Sequence, residues 1–391
     1  MWSRLEKFRR RDLAVVMRAL EGGGAQRDMV FLCNALAARG VRVTLLTLRR
    51  DGPLRALLDP SIRILQVPGR KLRYAIPGLR YAISKLAPAI VLSSEASLNL
   101  CTLAAVRLLA GRDRPKLVLR EVGSPSIARH RDPYRQNRIA YGLLRRFYRY
   151  ADRIITLTEG ARRDLMQNFS VPDEIISVML TNAVVPPATV KRIAEWNGEA
   201  GRESDLIVCA GRLSPEKDQQ TLIRAVALLP DGRPWRLAVL GDGPERRSLE
   251  ELAYSSGVDD RVGFLGEVAD PFAWMMRARV VVCSSIYEGL GNAIIEALAC
   301  GTPVVSTACP YGPREILRDG TYGILTPIGD PAAMAAAIET ALARTPDRRS
   351  LRMRGLNYTA TRAADRLLEI LSELDAPSPG VTGVYPLARA S

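Results

Sequence analysis

A single histidine, His130, stands in 391 residues. That scarcity excludes metal centres built on several imidazoles, zinc hydrolase sites of the usual kind among them. The six cysteines are scattered singly at Cys33, Cys101, Cys209, Cys283, Cys300 and Cys309, with no CxxC pair, and several lie in apolar runs such as Leu206-Ile-Val-Cys-Ala210. Buried thiols in a reducing compartment account for this spacing, whereas a disulfide framework or a zinc ribbon does not. No stretch of 18 residues is apolar and free of charge, so no bilayer-spanning helix is expected. The opening Met-Trp-Ser-Arg-Leu-Glu-Lys-Phe-Arg-Arg-Arg carries charge but no apolar core of signal-peptide length behind it. The expected placement is cytoplasmic, either free or peripheral on the cytoplasmic side of the inner membrane. No complete GxGxxG with a following ribose-binding acid occurs, which argues against hydride transfer.

What is present begins with size: 391 residues exceed what one hydrophobic core usually serves, and 47% of them are apolar. The net charge of +15 is unevenly placed. Residues 1–180 hold 33 Lys and Arg against 15 Asp and Glu, and the remainder hold 23 against 26. A basic half of this kind suits anionic lipid or a phosphorylated acceptor, and a solubilising arginine-rich surface accounts for the same excess. Nucleic acid is not indicated, because no helix-turn-helix, zinc finger or aromatic RNA-binding strand accompanies the charge.

The first half repeats a unit of short apolar run, turn and amphipathic stretch. Strands are expected at 13–17, 41–47, 62–67, 90–92, 117–119 and 154–157, with a helix over 27–39. A boundary falls near 182–205, after which strands at 206–210, 237–240, 262–265, 280–283 and 303–306 alternate with helices. Those helices are expected near 218–229, 244–256, 271–277, 291–300, 313–318 and 331–344. The fold class is therefore α/β, with two Rossmann-like doubly wound parallel-sheet domains facing a central cleft. Residues 1–190 form the basic domain and 205–347 the second. One closing helix is expected within 348–375, crossing back to the first domain, with a disordered tail over 376–391.

Four features gather in the second half. Ala210-Gly-Arg212-Leu-Ser-Pro-Glu-Lys217 leaves a strand with two cations suited to a diphosphate. Leu240-Gly-Asp-Gly-Pro244 opens another strand-to-helix turn. Ser285-Ile-Tyr-Glu288-Gly-Leu-Gly-Asn-Ala-Ile-Ile-Glu296 places one glutamate at a strand end and a second inside a helix among Ile and Ala. A carboxylate there needs a partner, and a ribose hydroxyl pair would serve. The backbone N–H groups of Gly289, Leu290 and Gly291 open that helix and suit a phosphate. Cys309-Pro-Tyr-Gly-Pro-Arg-Glu315 follows the next strand on the same rim.

With Gly-Gly-Ala-Gln-Arg27, Leu-Thr-Glu-Gly160-Ala-Arg-Arg-Asp164, Thr-Asn182-Ala-Val and Gly-Thr-Pro303-Val-Val in the same order, the chain resembles the retaining, metal-independent glycosyltransferases of the GT-B fold, family 4 (glycosyl transferases group 1). The resemblance implies that Arg212 and Lys217 hold the donor diphosphate and stabilise its departure. Glu288 would contact the donor sugar and Glu296 the ribose, with Gly289 and Leu290 near the phosphate. Gly23 and Gly24 would reach across from the first domain, and Gly211, Gly243, Gly291 and Asn292 complete the implied donor-binding set. Such enzymes attack on the same face that the leaving group vacates, the leaving phosphate oxygen taking the acceptor proton. No metal, no cofactor and no protein base is then implied, in keeping with the lack of an Asp-x-Asp motif beside the donor loops. Where many members carry a histidine after the strand ending near Leu119, this chain has Glu121-Val-Gly-Ser124. Glu121 or Ser124 would contact donor or acceptor there, or His130 would reach in.

Acceptors of the family dock on the first domain. Here Gly69 to Tyr81, with Arg70, Lys71 and Arg73, and Arg135 to Arg149 both interleave cations with apolar side chains, as do Trp2, Leu5 and Phe8. The expected reaction is transfer of a hexose or N-acetylhexosamine from a nucleotide sugar, with UDP favoured, to a lipid-linked saccharide or glycolipid at an anionic membrane surface. The alternatives are a soluble transferase acting on a small molecule or sugar, and a nucleotide-sugar epimerase or non-catalytic relative.

Overall fold

The computed structural model describes residues 12–49, 51–69, 72–109, 114–131, 135–196, 201–230, 232 and 234–374, without the side chains of Arg73 and Gln136. Trp2, Leu5, Phe8, Arg70, Lys71 and the tail 376–391 lie outside the described residues, as does the Arg73 side chain.

Short β-branched runs flanked by turns become strands, the central ones buried along almost their whole length. In the first half the strands are β1 (Asp12–Met17), β2 (Arg42–Thr47), β3 (Arg63–Gln66), β4 (Ile90–Ser94), β5 (Lys116–Glu121), β6 (Arg153–Thr156) and β7 (Ile176–Val178). They form one sheet in the order β3-β2-β1-β4-β5-β6-β7 with every pairing parallel. The helices between them are α1 (Gly24–Ala37), α2 (Ala75–Leu86), α3 (Ala96–Arg107), α4 (Pro125–Arg131), α5 (Arg135–Phe147), α6 (Glu159–Phe169) and α7 (Pro187–Glu195). Helix α7 occupies part of the stretch read as a boundary. Pro187 sits at its first turn, where the ring's fixed φ starts a helix.

The second sheet contains β8 (Leu206–Ala210), β9 (Arg236–Leu240), β10 (Val262–Gly266), β11 (Val280–Cys283), β12 (Val304–Thr307) and β13 (Ile324–Thr326). Its order is β10-β9-β8-β11-β12-β13, again parallel throughout. Its helices are α8 (Gln219–Val226), α9 (Arg246–Ser255), α10 (Pro271–Arg277), α11 (Asn292–Ala299), α12 (Gly312–Leu317) and α13 (Pro331–Ala343). This is the two-domain architecture expected from the sequence. In each sheet the strand order reverses beside the first strand, between β1 and β4 and between β8 and β11. The carboxyl ends at such a reversal leave room for a ligand.

The closing segment departs from expectation, because it is two helices. Helix α14 (Arg348–Gly355) ends in a 3-10 turn, and α15 (Ala360–Glu373) begins after an extended Thr359. The backbone breaks here because it pairs elsewhere. Val184 and Val185 each donate to the Tyr358 carbonyl, and Ala360 donates to that of Val185. The Thr359 side chain then caps α15 at Arg362 N. Helix α15 lays Ala363, Ala364, Leu367, Leu368 and Leu371 against α1 of the first domain, and Arg39 bonds Asp365 at its rim. A hydrophobic cluster runs from β1 through α1 and α15 into α11, so the domains share apolar packing.

Candidate functional site

Strands β8 and β11 flank the reversal in the second sheet, and the loops that leave them meet. After β8 the chain turns through a 3-10 segment, Pro215–Lys217. After β11 it runs through Ser284 to Leu290. The two loops are tied by backbone: Ile286 N donates to Glu216 O at 2.8 Å, and Ser284 Oγ to Lys217 O at 2.8 Å. Lys217 Nζ thereby reaches Glu288 Oε1 at 2.5 Å, and Ser285 Oγ donates to that same oxygen at 2.7 Å. Both side chains are mostly covered, Lys217 26% exposed and Glu288 14%. Burial works against the Lys217 ammonium, but the Glu288 carboxylate beside it outweighs burial and raises its pKa. Lys217 is thus held cationic at the cleft edge. Arg212, two residues past the strand, is exposed on the same loop.

The neighbouring loops need close packing more than side chains. Gly243 lies on the Leu213 backbone, where an added β-carbon would come within 2.2 Å of its carbonyl oxygen. Gly291 adopts φ 102° and starts α11 with no side chain capping its first N–H groups. Glu296 follows on the same helix and is 3% exposed.

On the first domain the rim is built differently. The side chain of Glu121, at the end of β5, is buried and turned into its own domain. It accepts from Tyr148 Oη at 2.8 Å and from Gly123 N at 3.1 Å. Burial raises its pKa, against these hydrogen bonds. Its carboxylate reaches the cleft only through the 122–124 loop it shapes. Ser124 Oγ crosses to the Glu288 carbonyl at 2.8 Å. Gly289 packs so tightly on this loop that a β-carbon would stand 1.8 Å from the Val122 oxygen. Gly23 and Gly24 are exposed, and Gly24 lies against Asn292.

Between these contacts runs a polar junction that sequence reasoning did not assign. Arg27 of α1 hydrogen-bonds and ion-pairs Glu296 of α11 across the domains. The adjacent Asp28 accepts on one oxygen from Asn292 at 2.8 Å and from Asn182 at 2.6 Å. Asn182 in turn accepts from Arg120 at 2.6 Å. Arg27 stands in the Gly-Gly-Ala-Gln-Arg stretch, which was a usable signal. Nothing in the local pattern marks Asp28. Farther out, Glu315 accepts from Glu159 N at 3.0 Å and Gly160 N at 2.8 Å, so a second-domain carboxylate covers the amino end of α6.

Tyr311 pairs with Glu288 in an isolated bridge and packs on Gly160. Two cavities adjoin it. One of about 530 Å³ is polar and is lined by Arg163, Asp164, Gln167 and Asn168 of α6 and by Arg314 and Tyr311. The other, about 370 Å³, is lined by Ile127, Ile286, Pro310 and Ile328 with His130 and Arg131. His130 therefore faces the second domain from α4, exposed. Among the described residues, no cluster of three or more His, Cys, Asp or Glu could hold a metal ion, and no helix is long and apolar enough to cross a membrane.

The family model described as Glycosyltransferase Family 4 matches residues 22–180, and that described as Glycosyl transferases group 1 matches residues 204–344. A lipopolysaccharide core biosynthesis glycosyltransferase, LpsE of Rhizobium meliloti, is 31% identical over 350 residues, covering 85% of this chain and 89% of its own. The 2-deoxystreptamine glucosyltransferase of Streptomyces kanamyceticus is 30% identical over 354 residues, covering 83% and 88%. Among solved structures, Anabaena HepE in complex with UDP and glucose superposes with a TM-score of 0.74. It is 21% identical and covers 93% of this chain and 100% of that one, which is a likeness of fold.

Proposed function

On the premise that this chain belongs to the family 4 glycosyltransferases, the glycosyl transferases group 1, we propose that it moves a hexose or N-acetylhexosamine from a UDP-sugar to a lipid-linked saccharide or glycolipid, with retention at the anomeric carbon. The chain is a nucleotide-sugar-dependent glycosyltransferase of GT-B architecture. The observation that carries the finer proposal is the Lys217–Glu288 pair at the meeting of two switch-point loops, with Glu296 one helix turn beyond the open amino end of α11.

Each group has a task in that chemistry. Lys217, with Arg212 on the same loop, opposes the charge that grows on the diphosphate as the glycosidic bond breaks. The amino end of α11, at Gly289, Leu290 and Gly291, offers N–H groups to a phosphate oxygen. Glu288 holds Lys217 in place and lies beside the sugar, and Glu296 accepts from the ribose hydroxyls. The proton of the attacking hydroxyl passes to the departing phosphate oxygen on the same face, so Glu288 is not required as a base. The polar cavity suits an acceptor saccharide, and the apolar one, with Arg131 and His130 at its edge, suits the lipid-proximal part of an acceptor.

The relatives' names point to both a glycolipid pathway and a water-soluble acceptor, and the surface of the first domain favours the lipid. On α5, Ile139 is 56% and Leu143 42% exposed one turn apart, flanked by exposed Arg135, Arg138, Arg145, Arg146 and Arg149. Helices α2, α3 and α5 pack on one another, and Tyr74, Tyr81, Leu108 and Tyr150 on and beside them are exposed. Such a surface seats aromatics and aliphatics among lipid headgroups and guanidinium groups on phosphates.

The test is a panel of UDP-, GDP- and ADP-sugars against a polyprenyl-diphosphate saccharide, presented in anionic or in neutral vesicles. Turnover with a UDP-sugar, faster on anionic vesicles and weakened by salt, is expected, with the product retaining the donor's anomeric configuration. Transfer only to a water-soluble acceptor, with no flotation on anionic vesicles, would remove the lipid acceptor. Inversion would remove the same-face mechanism.

A further inference from the structure

Glu296 and Arg27 present a puzzle of placement. A carboxylate that is 3% exposed sits in a helix among Ile294, Ile295, Ala297 and Leu298, and its partner comes from the other domain. Arg27 bonds its Oε1, and the Arg27 Nε has no partner of its own. The pair is flanked by Asp28, whose second oxygen is likewise buried without a partner, and by the Asp28–Asn292 bond, which also spans the domains. The two bridges lie side by side, both running from α1 to α11.

We propose that Arg27 is the positioning residue for nucleotide ribose recognition, holding Glu296 as an oriented acceptor whenever the two domains are together. The proposal rests on Glu296 as the ribose ligand and adds that its competence is supplied from the first domain. A diol donates two hydrogen bonds, and a carboxylate offers the lone pairs to accept both only while it is ionised. A protonated carboxyl must place one hydrogen where a ribose hydroxyl should be accepted.

Burial holds the Glu296 carboxyl above its ordinary value, and Arg27 is the largest influence opposing that rise. The other groups that face it, Asp28 on α1 and Asp270 at the start of α10, push the same way as burial, and Asp270 is itself held by Arg192 of α7. Cys300, one turn on along α11, is a buried thiol pushed up by its own burial and stays neutral. Among the described residues, no second cation acts on Glu296 with comparable strength. Without Arg27 the carboxyl keeps its proton to higher pH, and ribose binding recovers only as pH rises through that raised value. Because Arg27 belongs to the first domain, the nucleotide is gripped fully only after the rims meet, which couples donor recognition to closure.

The experiment measures UDP, GDP and ADP binding to the whole protein, each against its 2′,3′-dideoxy form, for the native chain, Arg27→Gln and Arg27→Lys. In the native chain, the nucleotide that binds should lose at least tenfold on removal of its hydroxyls. Arg27→Gln should weaken the ribonucleotide by a similar factor and abolish the discrimination near neutral pH. Affinity should return towards pH 9, where the native profile is flat, and Arg27→Lys should restore most of it. Matching melting temperatures separate this from misfolding. If native protein binds both forms equally, or binds none of the three nucleotides, the ribose assignment itself is wrong. If native protein discriminates and Arg27→Gln discriminates equally at every pH, the role of Arg27 is wrong. Tighter ribonucleotide binding by Arg27→Gln would also overturn it, by making Arg27 a competitor for the site.

Discussion

On the second domain's rim the charged side chains face the cleft and one another, whereas on the first domain's rim they are turned inward. Lys217 and Glu288 meet at 2.5 Å at a partly open edge. Glu121 and Arg120 are each 1% exposed or less and spend their charge on hydrogen bonds inside the first domain. At the Glu288 loop the first rim shows its partner backbone and hydroxyls: the Val122 carbonyl against Gly289, Ser124 on the Glu288 carbonyl and Ser126 beside Tyr311. Arg27 and Asp28 are exceptions, Arg27 reaching the Glu296 carboxylate and Asp28 accepting from Asn292. The second domain thus supplies electrostatics and the first supplies shape.

If that division holds, the largest loss should come from a charge on the second rim. Lys217→Ala removes the cation beside Glu288 and leaves that carboxylate without its counter-ion. Loss of one such stabilising group costs about 10²–10³ in turnover. The expected signature is a fall in kcat with the melting temperature held within a few degrees, measured with saturating donor and acceptor. Near-normal transfer by Lys217→Ala would break the comparison at its stronger end.

A shape change on the same interface should rank second. In Gly289→Ala the new methyl would stand 1.8 Å from the Val122 oxygen, and neither partner is a flexible side chain. The rims must part, and misplacement by about 1 Å can cost 10²-fold in a reaction that depends on alignment. Turnover should drop by about 10- to 100-fold, and nucleotide affinity should fall with it as Arg27 is drawn away from Glu296. An unchanged kcat would mean that the rims work apart, and the first domain would lose its role as a template.

The same division decides how much could be read without coordinates. The alternation of β-branched runs with amphipathic stretches carried both sheets, since parallel strands buried on both faces leave an unmistakable apolar pattern. Lys217, Glu288 and Glu296 stand out in the sequence because a charge on a strand-end loop or inside an apolar helix has few structural explanations. Strands β7 and β13, three residues each, are too short for a pattern to register. The break at Thr359 was invisible because its cause, pairing with Val185, is distant in sequence. For the same reason Glu121 looked like a ligand: its proximity to a strand end was right, but only packing against Tyr148 reveals that it points inward. Arg27 was quoted as part of a motif, yet its partner lies 269 residues away.

Ser124→Ala should give the smallest effect and the sharpest test of whether the first rim acts through shape. Its hydroxyl makes a single neutral hydrogen bond to the Glu288 carbonyl at 2.8 Å, and the side chain is buried. A bond of that kind contributes about 1 kcal/mol, which is about a fivefold change in rate if it is made only when the rims meet. The loss should appear in kcat, with nucleotide affinity unmoved. The bond matters only if the rims are together, so in a Gly289→Ala background, where they have already parted, Ser124→Ala should cost almost nothing more. Coupling of that size between neighbours is what a double-mutant cycle resolves. Additive losses in the cycle would instead make Ser124 an independent contributor to the chemistry, and the first rim would be more than a template.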